Sequence, residues 1–317
     1  MTSQSRRNKV VPALLLAVVA VHAAPAAAPR VDRDELMRVV RTLSSPAFEG
    51  RRTSTGGGLA ARRFIRDAFT TIGVAPAVAN YLQPFSFVSR GRDRGDRRSQ
   101  TEFKDAANVI AMERGTTADD RAIIVSAHYD HLGIRNGAMY PGADDNASGV
   151  AALLAVARYV HAHPLTHRIV FAAFDAEELD LEGAKAFLRA PPVPVSAMVL
   201  DINFDMVSRS ARNEIYAAGT YQTPALKPIV DAVQQRTNVV IRFGHDRPAS
   251  RSRDDWTLQS DHGVFHQAGV PFLYFGVEDH PDYHQPTDTA DKIDPRFFGN
   301  VADMLLDVVI TADARVH

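Results

Sequence analysis

The stretch between residues 128 and 149 constrains this chain more than any other part of the sequence. It begins with His128, Asp130 and His131 after a predicted strand, and it continues to Asp144 and Asp145 before a predicted helix. Imidazole and carboxylate groups without sulfur suit zinc or another divalent ion of similar hardness. The stretch therefore predicts a metal site between a strand and a helix, and it first suggests a metal-dependent hydrolase.

The rest of the chain predicts the fold that surrounds this stretch. From residue 108 onward, short β-branched runs alternate with stretches of helical periodicity. Such alternation predicts crossover units and a mostly parallel sheet with helices on both faces, which is an α/β fold. The predicted strands cover residues 108–112, 122–127, 169–174, 198–204, 214–217, 239–243 and 271–275. The predicted helices cover residues 32–43, 59–69, 147–162, 181–188, 224–236, 263–268 and 295–311.

The first 28 residues have the order of a secretory signal. Three basic residues precede the apolar run from Val10 to Val21, and small residues follow it. Cleavage is expected after Ala23 or after Ala28, and residues 29–317 are expected to form a single catalytic domain. An uncleaved anchor is the alternative, but the run is shorter than the roughly 20 residues that span a bilayer. The protein is therefore predicted to be exported, to the periplasm or the extracellular space.

Composition excludes several classes of function. There are 36 Lys and Arg against 37 Asp and Glu, and removal of the signal's three basic residues leaves 33 against 37. A net charge of about −4 does not suggest a nucleic-acid partner, or a membrane partner after signal cleavage. The chain has no cysteine, so no thiol acts as nucleophile or ligand. The basic segment 89–104 is expected to be a solvated hairpin connection, and Gly56 to Gly58 a surface loop without phosphate-loop features.

Three candidate ligands come shortly after predicted strands. His128, Glu178 and Asp205 each follow one, and the carboxyl ends of parallel strands share one edge of a sheet. We therefore expect the three side chains to face a single crevice. Asp130 can hold the second ring nitrogen of His128. His131 is an alternative ligand, but it lies farther from the strand end.

The other carboxylates compete for distinct roles. Asp144 and Asp145 either cap the following helix or face the crevice, and Asp145 is our candidate for a carboxylate that bridges two metals. Glu177 and Glu178 follow a buried strand, so one is expected to bind metal and the other to act as general base. Asp201 lies about 13 Å from Asp205 on an extended strand, and it is expected to be structural.

His284 is a candidate ligand from outside the sheet. It lies in a loop between Pro281 and Pro286, beside Tyr283. Proline fixes the backbone φ angle, so such a loop is suited to hold a ligand in place.

Together these motifs resemble the co-catalytic di-zinc aminopeptidases, the family of zinc exopeptidases related to bacterial secreted leucine aminopeptidases and glutamate carboxypeptidase II. The resemblance implies the family's three-layer α/β fold with a mixed, mostly parallel sheet. It also implies two zinc ions per chain, a ligand set, a general base at Glu177, and supporting roles for Asp130 and Asp261. The implied ligands are Asp145 as the bridge, Glu178 and His284 for one zinc, and His128 and Asp205 for the other. The matching motifs begin at Glu49, His128, Gly142, Phe174, Phe204 and Ser260, and the match extends to Thr289.

The implied activity is hydrolysis of the N-terminal residue from a peptide with a free N-terminus, by a bridging water that two zinc ions activate. A glutaminyl cyclase-like acyl transferase and a catalytically inactive binding module are alternatives on the same fold. The complete set of five ligands favours hydrolysis. The sequence leaves open which residue the enzyme prefers and whether it recognises a free amine or a terminal carboxylate. It also leaves open the group that stabilises the oxyanion and the oligomeric state. The segment from Gly244 to Gln259 is expected to border the substrate pocket.

Overall fold

A computed structural model describes residues 30–90, 100–248 and 254–316. Within these residues the structure has seven α-helices and eleven strands. The helices are α1 Arg33–Leu43, α2 Gly56–Ile72, α3 Gly149–Ala162, α4 Glu182–Arg189, α5 Lys227–Gln234, α6 His262–Gln267 and α7 Pro295–Asp313. The strands are β1 Ala75–Pro76, β2 Leu82–Arg90, β3 Gln100–Glu113, β4 Ala122–His128, β5 Gly133–Arg135, β6 Ala138–Tyr140, β7 Arg168–Phe174, β8 Met198–Phe204, β9 Glu214–Ala218, β10 Val240–Arg242 and β11 Phe272–Gly276.

Nine of the strands form one mixed sheet. Its order is β1-β3-β7-β4-β8-β11-β9-β10, with β2 paired to β3. The central strands β7, β4, β8 and β11 are parallel, and so is the pair β9 and β10. The pairs β1–β3, β2–β3, β3–β7 and β9–β11 are antiparallel. The predicted mixed α/β sheet is confirmed, and its parallel part lies where the candidate ligands were expected.

Side chains of the central strands alternate between two apolar cores. Ile123 and Val125 of β4 pack in the larger core with helices α1, α2, α3, α5 and α7. Their neighbour Ile124 packs on the opposite face with α4 and α6. Successive residues of a strand point to opposite faces of the sheet, so a strand covered on both sides needs an unbroken apolar run. The expected three layers are therefore confirmed.

One local prediction needs correction. Gly56 to Gly58 form the first turn of α2 and not a surface loop, with Gly57 and Gly58 buried. A Cβ at Gly57 would lie 1.9 Å from the carbonyl oxygen of Phe48, so this helix start packs too closely against the preceding segment for a side chain.

The segment 89–104 joins two antiparallel strands, β2 and β3, as expected of a hairpin connection. The strands extend into the segment at both ends, and residues 91–99 lie outside the described range.

The expected signal segment lies outside the described residues. In the part of the chain that the structure describes, none of the helices is long and apolar enough to cross a bilayer.

Candidate metal centre

Three neighbouring parallel strands bring the first candidate ligands to one edge of the sheet. His128 is the last residue of β4, and it pairs in register with Phe174 at the end of β7. Glu177 and Glu178 follow β7 after a short turn, and Asp205 is the first residue after β8. The polar groups meet because parallel strands all end at this edge.

Two further residues reach the same edge from loops. Asp145 lies in a wide turn that precedes α3, and the N–H groups of Asp144 and Asp145 donate to the carboxylate of Asp288. His284 lies between β11 and α7, with a left-handed backbone at φ 55°. Ala176, which precedes Glu177, has a positive φ angle, and so does Met206, which follows Asp205. Such backbone angles are costly for residues other than glycine, and they concentrate at functional sites.

The first group of possible metal ligands comprises His128, Asp145 and Asp205. The Nε2 atom of His128 lies 3.2 Å from Oδ1 of Asp205 and 3.4 Å from Oδ1 of Asp145. All three side chains are buried. These atoms face a common point between two carboxylates and an imidazole, which is a donor set that suits zinc.

The second group uses the other oxygen of Asp145. Nε2 of His284 lies 3.1 Å from Oδ2 of Asp145 and 3.3 Å from Oε2 of Glu178. Nδ1 of His131 lies 2.7 Å from Oε1 of Glu178 and 3.7 Å from Oδ2 of Asp145. Asp145 is therefore shared by both groups, one oxygen to each. The structure brings together all five residues expected as ligands, and it adds His131.

The buried charges of the centre shift one another's pKa values. Burial opposes ionisation of Asp145, but the neighbouring rings of His131, His128 and His284 hold its pKa well below the usual value. Burial lowers the pKa of His128, yet the carboxylates of Asp205 and Glu177 outweigh burial and raise it well above 6.5. Without a metal, the carboxylates thus draw protons onto the imidazoles. A cluster of this kind needs positive charge inside it.

The residues present fit a metal ion on independent grounds. Both ring nitrogens of His131 and Oε1 of Glu178 are buried and have no hydrogen-bond partner in the described part of the chain. Buried polar atoms nearly always have partners, since an unpaired one costs about 1–3 kcal/mol. A bound cation would satisfy Nδ1 of His131 and Oε1 of Glu178 together.

The position of Asp130 differs in detail from the expected support of His128. Its carboxylate accepts from the N–H of Glu177 at 2.9 Å and from the N–H of Glu178 at 3.3 Å. Nδ1 of His128 lies 3.2 Å from the backbone oxygen of Asp130 and 3.7 Å from its Oδ1 atom. Asp130 therefore fixes the turn that carries both glutamates as well as contacting the histidine.

Asp144 does not cap helix α3, which was one of its two possible roles. It is fully buried, it accepts from the N–H and hydroxyl of Ser208, and its Oδ2 lies 3.1 Å from Nε2 of His280. The start of α3 is instead capped by Asn146, whose Oδ1 accepts from the N–H of Gly149 at 2.9 Å. Asp144 thus has too many protein partners to serve as a proton acceptor for the substrate.

Arg51 is a residue of the centre whose role sequence reasoning did not assign. Its guanidinium is fully buried and donates to the backbone oxygens of Leu43, Tyr129, Pro141, Gly142 and Asp145. Apart from Leu43 at the end of α1, these carbonyls belong to the loops that carry His128, His131 and the shared aspartate. Burial lowers its pKa to about 10, so the side chain stays positively charged at neutral pH. The signals in the sequence are an Arg51–Arg52 pair in a predicted loop and the matching motif that begins at Glu49.

A small cavity of about 70 Å³ opens onto the two groups. Its walls away from the ligands are formed by Met206, Trp256, Tyr274, Val277 and Tyr283. An adjoining groove of about 840 Å³ begins at Glu177, Glu178 and His284 and passes Leu258. Trp256 and Gln259 line these spaces, and residues 249–253 of the expected pocket border lie outside the described range.

Asp261 and Asp201 lie behind the centre. Asp261 is fully buried, both of its carboxylate oxygens have no hydrogen-bond partner among the described residues, and burial raises its pKa well above the usual value. Asp201 lies inside the sheet, where it accepts from the hydroxyl of Ser126 at 2.9 Å. Neither residue belongs to the two groups that share Asp145.

Comparison with known proteins identifies relatives of this chain by sequence. The pattern of Peptidase family M28 matches residues 108–309. The aminopeptidase YwaD of Bacillus subtilis is 27% identical over 65% of this chain and 44% of the relative. A probable lipoprotein aminopeptidase, LpqL of Mycobacterium tuberculosis, is 28% identical over 63% of this chain and 44% of the relative. The match thus covers less than half the length of these two relatives.

Solved structures with the same fold include enzymes with different activities. An aminopeptidase from Aneurinibacillus sp. strain AM-1 superposes with a TM-score of 0.68 at 18% identity, over 88% of this chain and 93% of the other. A glutaminyl cyclase from Bacteroides thetaiotaomicron superposes with a TM-score of 0.67 at 20% identity, over 89% and 98%. At such identities the likeness shows the fold alone.

Proposed function

We propose that this chain, which belongs to peptidase family M28, is a zinc-dependent aminopeptidase that hydrolyses N-terminal residues from peptides. The observation that carries the proposal is that the two carboxylate oxygens of Asp145 face two separate groups of imidazole and carboxylate donors. A carboxylate that bridges two metals about 3.5–4 Å apart is the arrangement of co-catalytic hydrolases. The aminopeptidase relatives support this activity.

We assign His128, Asp145 and Asp205 to one zinc ion, and Asp145, Glu178 and His284 to the other. When bound, the two ions supply Lewis-acid polarisation of the peptide carbonyl and lower the pKa of the attacking water. The protein's part is to hold the ligands rigidly. Asp130 and Arg51 do so through the backbone of the loops from which the ligands project.

Glu177 is the proposed general base. It lies beside His128 and Asp205 and is not needed as a ligand, since Glu178 faces His284 and His131. Burial raises the pKa of Glu177 well above its usual value, which means that its surroundings favour the protonated form. A base in such a place accepts a proton from water and delivers it to the leaving amine.

The shape of the site supports cleavage at the end of a peptide. The cavity of about 70 Å³ beside the ligands has room for little more than one residue, because Trp256 and Tyr274 close it. The larger groove on the side of Glu178 and His284 can hold the rest of the substrate.

The proposal is tested with a panel of aminoacyl chromogenic amides, N-acetylated counterparts and a peptide with N-terminal glutamine, together with zinc analysis of the same sample. We expect the protein to hydrolyse the free-amine substrates and not their N-acetylated counterparts. Release of pyroglutamyl peptide without hydrolysis would indicate the cyclase alternative. No turnover of any substrate by zinc-loaded protein would indicate an inactive binding module.

We further propose that residues 1–28 are a signal peptide and that residues 29–317 form the exported catalytic domain. The support is the order of basic, apolar and small residues at the start of the chain. N-terminal sequencing of the exported protein tests this, with a new terminus expected after Ala23 or Ala28. An intact N-terminus on exported protein would contradict it.

A further inference from the structure

His131 occupies a place in the centre that the proposed ligand set does not use. Its ring is buried, and Nδ1 points at Oε1 of Glu178, 2.7 Å away, and at Oδ2 of Asp145, 3.7 Å away. On the other side of the same two carboxylates lies His284, whose Nε2 is 3.1 Å and 3.3 Å from them. Two imidazoles therefore face one pair of carboxylates.

The 2.7 Å contact between Nδ1 of His131 and Oε1 of Glu178 lacks the N–H alignment of a good hydrogen bond, and neither atom has another partner in the described chain. An imidazole nitrogen and a carboxylate oxygen held side by side in this way can both bind one cation.

The contacts around Asp145 and Glu178 are close to the spacing of ligands around one ion. Bonds of about 2.0–2.2 Å in a tetrahedral site put neighbouring ligand atoms about 3.3–3.6 Å apart. His131 lies 2.7 Å from Oε1 of Glu178 and His284 lies 3.3 Å from its Oε2, and the two rings lie 3.7 Å and 3.1 Å from Oδ2 of Asp145. Glu178 thus offers one oxygen to each imidazole, and Oδ2 of Asp145 faces both.

The protein holds the His131 ring in this position. A Cβ at Gly142 would lie 2.6 Å from Cγ and from Cδ2 of the ring, so the ring packs directly against the glycine backbone. The backbone N–H of His131 donates to the carbonyl oxygen of Arg51 at 3.4 Å. The ring orientation is therefore fixed by its neighbours and not by a hydrogen bond of its own.

From these contacts we infer that His131 is a fourth protein ligand to one of the two metals, beside Asp145, Glu178 and His284. The inference rests on the proposed zinc-dependent function and extends it. A fourth protein ligand holds an ion more firmly than three ligands do, and the group of His128, Asp145 and Asp205 has only three. The two ions therefore differ in how tightly the protein retains them, although both sites border the same cavity as Glu177.

The test uses full-length mature protein labelled with 15N-histidine and loaded with zinc. Long-range 1H–15N correlation spectra report which nitrogen of each ring carries a proton and which binds metal. For wild type we expect a third metal-bound histidine with metallated Nδ1 and protonated Nε2, and we expect its signals to vanish in His131→Gln. His167→Gln is the matched control, because His167 is equally buried but pairs with Asp313 away from the centre.

Metal retention gives the second readout. On dialysis against a chelator, wild type and His167→Gln should retain one zinc equivalent after the other is lost. His131→Gln should lose both zinc ions together, and its affinity for the ion that wild type retains should be lowered by more than about 100-fold. This threshold is the largest loss of metal affinity usually caused by replacing a residue that does not itself bind the metal.

The two proposals fail in different ways. Protein that binds no zinc and hydrolyses nothing would overturn the proposed function. Active protein with two zinc ions in which Nδ1 of His131 stays protonated would overturn only the fourth ligand, and so would His131→Gln that keeps wild-type zinc retention.

Discussion

Buried carboxylates behave in opposite ways at the edge of the sheet and in its interior. At the edge, Asp145 is surrounded by His131, His128 and His284, which hold its pKa well below the usual value despite burial. In the interior, on β8 and four residues before Asp205, the Asp201 side chain has Ser126 as its one hydrogen-bond partner among the described residues, and burial raises its pKa to about 8. Both side chains are almost inaccessible to solvent.

The difference shows that burial alone does not make a metal site. An isolated buried carboxylate takes up a proton, whereas one among imidazoles stays ionised and can bind a cation. The centre also has the buried cation Arg51 behind it, which the interior position lacks. The predictions that follow separate these two environments, and they run from the largest expected effect to the smallest.

Replacement of Asp145 should have the largest effect. We expect Asp145→Ala to lose both zinc ions and to lower kcat/KM by more than about 10⁴-fold, beyond what an acid–base group alone contributes. Zinc analysis and kinetics of the same preparation check this. His284→Ala should affect mainly one ion. Asp201→Asn, the matched buried carboxylate, should keep two zinc ions and near-normal turnover. If it loses zinc as Asp145→Ala does, the comparison is wrong.

Glu177→Gln should leave the metals in place and remove the proton acceptor. We expect kcat to fall by about 10²–10⁴-fold with two zinc ions still bound, because the amide preserves the shape of the side chain. Glu178→Gln is the contrasting variant, since it should weaken zinc binding and regain part of its activity on addition of zinc. Near-normal kcat in Glu177→Gln would contradict the assignment of the base.

Arg51→Met should destabilise the protein by about 3–5 kcal/mol, because it removes a buried cation beside the acidic centre and leaves backbone oxygens without donors. Urea unfolding of the zinc-free protein checks the value without a contribution from metal. The control is Arg62→Met, which removes an ion pair whose partner Asp105 is 62% exposed and should cost at most about 1 kcal/mol. Equal effects of the two substitutions would show that Arg51 has no special role.

Asp201 should make wild-type stability fall as the pH rises. Its folded pKa of about 8 lies above the unfolded value of 3.8, so between these values the folded state binds more protons than the unfolded state. Asp201→Asn should remove this contribution, and its stability relative to wild type should rise by about 2 kcal/mol from pH 5 to pH 7. Denaturant unfolding of both zinc-free proteins at the two pH values measures the difference. A difference that does not change with pH would place the Asp201 pKa in its ordinary range.

The sequence predicts the centre of the fold better than its margins. Strands such as β4 and β8 are apolar on both faces, so continuous β-branched runs identify them. Strand β2 was missed because exposed and buried residues are mixed along it and Pro84 interrupts it. The short pair β5 and β6 was missed because each strand has only three residues.

In the candidate site, sequence position predicts which residues meet but not how they pair. His128 and Asp205 end adjacent strands, so their approach follows from the topology. By contrast, the choice between Asp144 and Asp145 depends on Ser208 and His280, which are distant in sequence and bind Asp144. The orientation of His131 likewise depends on Gly142, whose contact with the ring is visible only in the folded chain.

The central claim is that this centre works with two zinc ions, and titration of metal-free protein with zinc tests it most directly. Hydrolysis of an aminoacyl amide and zinc content are measured in the same samples after each addition. We predict that metal-free protein is inactive and that full activity is reached at two zinc equivalents per chain. Full activity in protein from which all metal has been removed, or with a single equivalent bound, would contradict the account.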